Sequence, residues 1–79
     1  MEKEYVVTIE NSNSGMQIMP DIYGAKILYN ACILGMQMYG DTSTDIRLYQ
    51  RDKGAQDLGI IICSRFIDGS TYEAGNVKN

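Results

Sequence analysis

Two stretches of the chain carry the period of a strand, the second in strict alternation. From Glu4 to Glu10, Tyr5, Val7 and Ile9 fall on one side; from Asp45 to Arg51, Ile46 and Leu48 alternate with Arg47, Tyr49 and Arg51. A period of two is what a strand with one buried face requires. Between these stretches, Asp21–Tyr39 has helical length and is rich in Ala, Leu, Met, Gln and Lys; Pro20 suits a first helical turn and Gly40 a helix stop. Asn11–Gly15 is a dense turn signal, after which Met16–Met19 makes a short return strand. Leu58–Ile67 is apolar on both alternating sets and reads as the last long strand. Turns are expected at Asp41–Thr44, Asp52–Asp57 and Asp68–Ser70, a short edge strand at Thr71–Glu73 and a frayed tail at 75–79. The order is β(β)αββ, an α+β fold with one helix across one face of an antiparallel sheet.

On a helical wheel the small residues Gly24, Ala31 and Gly35 align with Leu28, and this line is expected to face the sheet, flanked by Ile27, Cys32, Met38 and Tyr39. The opposite stripe, Lys26, Asn30 and Gln37, is narrow and has Ile33 in its middle. An apolar rim of Ile22, Ile33, Leu34 and Met36 is therefore expected beside it. With an even pairing register, Arg47, Tyr49 and Arg51 share the sheet's outer face with Ile61, Cys63 and Arg65. Such a face, apolar in its middle and ringed by arginines, calls for a cover or for shielding by its own arginine stems and tyrosine ring. Ile33, Ile61 and Cys63 are accordingly the candidate contacts between copies. Arg47, Tyr49, Arg51 and Arg65 are the candidate contacts with a partner or ligand.

Length changes the picture by limiting stability. Seventy-nine residues make one domain, spanning 1–79, and a single core of that size yields only about 3–5 kcal/mol. Disulfides, metals and oligomerisation are the usual supplements. There are two cysteines and no histidine, so no Cys/His metal set is available in one chain and no cofactor is expected. Cys32 and Cys63 both sit in apolar runs and are expected to be reduced and buried. Association, most simply as a dimer, is left as the expected support. The first residues do not resemble a signal peptide, and Lys26, Asn30 and glycines interrupt the longest apolar-rich segment, so a cytoplasmic protein with no membrane span is expected. A net charge of −3 and a pI near 4.6 disfavour long nucleic acid and anionic lipid.

Candidate chemistry is sparse. Nucleophilic catalysis lacks a histidine base, and the pairs Asp41/Asp45 and Asp52/Asp57 read as solvated turn residues rather than acid–base or metal-binding pairs. Arg47-x-Tyr49-x-Arg51 is the nearest approach to a motif: period-two spacing sets a π face between two guanidinium forks, able to stack a base and hold a phosphate. Four of the seven basic residues lie between Arg47 and Arg65. No enzyme is indicated. The leading expectation is a stoichiometric inhibitor or adaptor that binds a protein, ahead of a homo-oligomer that sequesters a small anionic nucleotide-like ligand and of a structural subunit of an assembly. In size, acidity and lack of catalytic equipment the chain resembles small phage-encoded inhibitors of bacterial immunity, a likeness of composition that carries over no residue.

Overall fold

The computed structural model describes residues 2–10, 15–40 and 44–65, and the backbone of 71–73. Among them the chain forms β1 (Lys3–Glu10), β2 (Gly15–Met19), α1 (Ile22–Tyr39), β3 (Asp45–Asp52), β4 (Ile60–Arg65) and β5 (Thr71–Glu73). The strands pair antiparallel in the order β2-β1-β3-β4-β5, and α1 packs on one face. The fold is therefore the α+β arrangement that the alternation implies. The expected turns at Asn11–Gly15, Asp41–Thr44 and Asp68–Ser70, the end of the last strand at Phe66 and Ile67, and the tail fall wholly or largely outside the described residues.

The ends of α1 follow from local chemistry. Asp21, in extended conformation, is the N-cap, and its Oδ1 accepts a hydrogen bond from the Gly24 N–H at 2.9 Å. Pro20 thus precedes the cap instead of occupying the first turn. Gly40 closes the helix at φ 65°, donating its N–H to Gln37 and Met36 carbonyls.

The buried helix line differs from the expected one. Ala25, Tyr29 and Met36 are buried against Val7, Ile46, Leu48 and Cys63, with Tyr5, Met19, Leu28, Cys32, Ile33 and Ile62 packed around them. Gly35 faces open space, and Ile27, Met38 and Tyr39 are exposed. The helix is rotated by roughly a quarter turn or more from the small-residue line. Its apolar residues go nearly all the way round, so two lines compete, and the one bearing Tyr29 and Met36 fills far more of the space above the sheet. Ile33 packs against the core rather than standing on a free rim.

A second correction concerns the sheet. Leu48 pairs with Cys63, but Tyr49 pairs with Ile61, so a bulge at this point leaves Ile62 as the extra residue. The bulge sets Ile62 and Cys63, consecutive residues, both against the core, which strict alternation would forbid. The even register expected from sequence does not occur: Ile61 joins Tyr49 on the outer face, Cys63 lies beneath the helix, and Arg65, opposite Ile46, is on the helix side.

Leu58 and Gly59 are not strand residues. Gly59 has φ 79°, and a Cβ there would overlap the Gln50 carbonyl oxygen and lie 2.7 Å from Arg51 Cβ. Gly54 also has positive φ, 82°, but nothing stands within 4 Å of its added Cβ. Urea unfolding should separate the two: Gly59→Ala is expected to cost about 3 kcal/mol, strain plus backbone overlap, and Gly54→Ala about 1 kcal/mol, strain alone.

Candidate functional site

The helix-free face is built in rows across the strands. Ile18, Val6, Tyr49 and Ile61 form one row, and Met16, Thr8, Arg47 and Ser64 the next. Glu4 faces Arg51 beyond the first of these. Arg47, Tyr49 and Arg51 are thus brought together as their spacing requires, with Ile61 beside them, while Arg65 and Cys63 are on the other side of the sheet.

The arginines are already engaged within the chain. Arg51 Nε donates to Glu4 Oε2 at 2.7 Å, the two side chains being only 9% and 14% exposed. Arg51 Nη1 also donates to the Asp57 carbonyl at 3.2 Å, and the same Glu4 oxygen accepts from the Gly54 N–H at 3.4 Å. This cluster clamps the β3–β4 loop to the start of β1, helped by the Lys53 N–H donating to the Glu2 carbonyl and by the Lys3–Asp52 ion pair at 2.6 Å. Arg47 lies 3.3 Å from Asp45 Oδ2 and hydrogen-bonds the Tyr49 side chain. That bond, partly opposed by burial and aided by Asp45 and Glu10, raises its pKa further above the usual arginine value, so it stays cationic at any physiological pH. Asp45, Arg47 and Tyr49 therefore make a pre-set polar ladder along β3, not a pair of idle forks.

Apolar exposure is concentrated at the β2 margin of this face. Met16 and Ile18 are exposed, and Leu58, carried inward by the bend at Gly59, shares with Thr8, Glu10, Gly15 and Met16 the lining of an open hollow of about 460 Å³. Val6 is fully buried although no helix covers it. Thr8 is buried too, and its hydroxyl finds no hydrogen-bond partner; the Ser64 hydroxyl, in the same row, also lacks one. Sequence reasoning missed Thr8, Met16, Ile18 and Leu58. The available signal was Gly59, since a glycine inside an apolar run often marks a bend.

A second hollow, of about 450 Å³, opens on the helix side between α1 and the β1–β2 margin, lined by Val7, Ile9, Met16, Gln17, Met19, Leu28 and Cys32. Its one reactive group is subdued: burial pushes the Cys32 thiol above its ordinary pKa, keeping it protonated and a poor nucleophile. Neither cysteine is in a disulfide. Among the described residues no three His, Cys, Asp or Glu side chains converge as metal ligands, and no helix is long and apolar enough to cross a membrane. Comparison with known proteins finds no matching family model, curated protein or solved structure, so function has to be argued from the chain's own residues.

The two arginines of the motif are expected to behave differently. Arg51→Ala strands a nearly buried Glu4 carboxylate and releases the loop, and should lower unfolding free energy by about 3 kcal/mol. Arg47→Ala breaks a part-exposed pair and should cost about 1 kcal/mol or less. Equal effects in urea titrations would show that the Glu4–Arg51 clamp does not hold the loop.

Proposed function

We propose that the protein is a non-enzymatic binding module that holds a protein partner stoichiometrically, as an inhibitor or adaptor does, with the helix-free face of the sheet as its docking surface. One observation carries this reading: among the described residues no helix packs on this face, and at its β2 margin Met16 and Leu58 are exposed around an open hollow, with Ile18 exposed in the neighbouring row. Protein interfaces are built in this way, from an apolar centre that accepts an anchor side chain and a polar border that fixes orientation. The matching partner presents an apolar side chain for the hollow and polar groups for its border. Arg47 and Tyr49, held by Asp45 and by each other, form the polar border.

The chemistry favours holding over turnover. The chain has no histidine, and Cys32 is kept in its unreactive form. Nor are the guanidinium groups well placed to grip a small anion, since Glu4 and Asp45 occupy them.

Affinity purification from the cells of origin, followed by quantitative binding to the captured protein, tests the reading. Ile18→Asp and Met16→Asp should each weaken binding by roughly 1–3 kcal/mol, about fivefold to 150-fold, with the melting temperature nearly unchanged because both side chains are exposed. Full binding by the double variant would remove this face as the docking surface.

A further inference from the structure

On the side of α1 directly opposite Ala25, Tyr29 and Met36, four large apolar side chains stand in solvent: Tyr23 is 78% exposed, Ile27 71%, Leu34 59% and Met38 79%. At 100° per residue they fall within an arc of about 60°, so they form one line along the helix. No charged residue interrupts it. One border is polar, Lys26, Asn30 and Gln37; the other is small, Gly24, Ala31 and Gly35. Neither sheet packing nor capping employs this line, and a monomer gains nothing from it.

The line has an internal symmetry that identifies what covers it. Tyr23 and Met38 are equally distant from the midpoint between Asn30 and Ala31, and so are Ile27 and Leu34. A second copy of the same helix, turned end for end about a two-fold axis through that midpoint, sets Ile27 against the second copy's Leu34 and Tyr23 against its Met38, each contact occurring twice. We propose that two copies of this chain associate through α1 in this antiparallel manner.

The borders agree with that operation. A two-fold that reverses the helices keeps each border on its own side, so the small-residue borders meet each other and permit close approach. Nothing stands within 4 Å of a Cβ built on Gly35. The polar borders meet on the other side. Lys26, their only charge, lies toward one end, so its two copies are held on the order of 13 Å apart along the axis at 1.5 Å per residue. Tyr23 against Met38 is a thioether–ring contact, favourable in its own right. The spacing of four, seven and four residues repeats Tyr23 and Ile27 eleven residues later as Leu34 and Met38, which keeps the line nearly straight on the helix.

An 18-residue helix is about 27 Å long, so the contact is at the small end of specific interfaces, and a dissociation constant in the micromolar range follows. Because α1 lies on one face of the sheet, pairing through it places the helices at the centre and leaves both helix-free faces pointing outward. The dimer is then bivalent. This inference goes beyond the proposed docking surface and does not depend on it.

Sedimentation equilibrium of the full chain from 1 to 300 µM tests it. The wild type should move from 8.8 kDa toward twice that mass, and Ile27→Asp or Leu34→Asp should raise the dissociation constant at least about tenfold, with circular dichroism and melting temperature showing an intact fold. Orientation is read from the double variant Ile27→Asp/Leu34→Lys. Antiparallel pairing sets aspartate against lysine twice and recovers association relative to Ile27→Asp, whereas parallel pairing sets like against like and recovers none. A wild-type monomer at 300 µM, or a dimer that both single variants leave intact, overturns the proposal; absence of recovery in the double variant overturns the antiparallel arrangement. Ile18→Asp should leave dimerisation unchanged, so that failure of the docking surface and failure of the helix pair are seen separately.

Discussion

A single helix has to cover a sheet wider than itself. With strands about 4.8 Å apart and a helix about 10 Å across, α1 can shield two or three strands of the five, and it lies over β1 and β3 with a lighter contact to β2. The consequences are visible at every margin. Ile60, at the far end of β4, is exposed on the helix side; a hollow opens between α1 and the β1–β2 margin; and among the described residues no helix lies on the opposite face. The bulge in β4 brings both Ile62 and Cys63 to the side that the helix covers.

The uncovered face protects itself in part. Val6 is completely buried beneath its neighbours, and the β3–β4 loop is folded inward and clamped by Glu4, Arg51 and the Asp57 carbonyl. A nearly buried ion pair of this kind contributes little net stability compared with apolar packing, but it defines one loop position because losing either partner strands a charge. It also decides what arginine does here. A fork that has already found a carboxylate inside its own chain has little left to offer a phosphate, so the polar ladder Asp45–Arg47–Tyr49 supplies shape and orientation to this face more than charge.

Two surfaces therefore remain after the fold is satisfied, and they differ in character. The line on α1 is apolar, straight and self-complementary, with no polar group that asks for a particular ligand. The sheet face is mixed, with a hollow, buried hydroxyls that lack partners and a charged border. As proposed, the first takes a second copy of the same chain and the second a different protein. Their placement on opposite sides lets both be occupied at once.

Much of the fold was legible in the chain. Alternation located β1 and β3, Gly40 marked the end of the helix, and the spacing of Arg47, Tyr49 and Arg51 placed them on one face, because each of these depends on residues close in sequence. What sequence could not determine was rotation and register. Gly24, Ala31 and Gly35 offered a plausible inward line on the wheel, yet the space above the sheet is filled by Tyr29 and Met36, a choice made by volume and visible only when both layers are in place. Arg65 and Cys63 were assigned to the outer face by an even register, and one extra residue in β4 reversed them. Arg51 looked available until folding brought Glu4 to it from the other end of the chain. Periodicity is local and survives in the sequence, whereas the depth of a helix, the position of a bulge and the partner of a charge are settled by contacts between residues that only tertiary structure brings together.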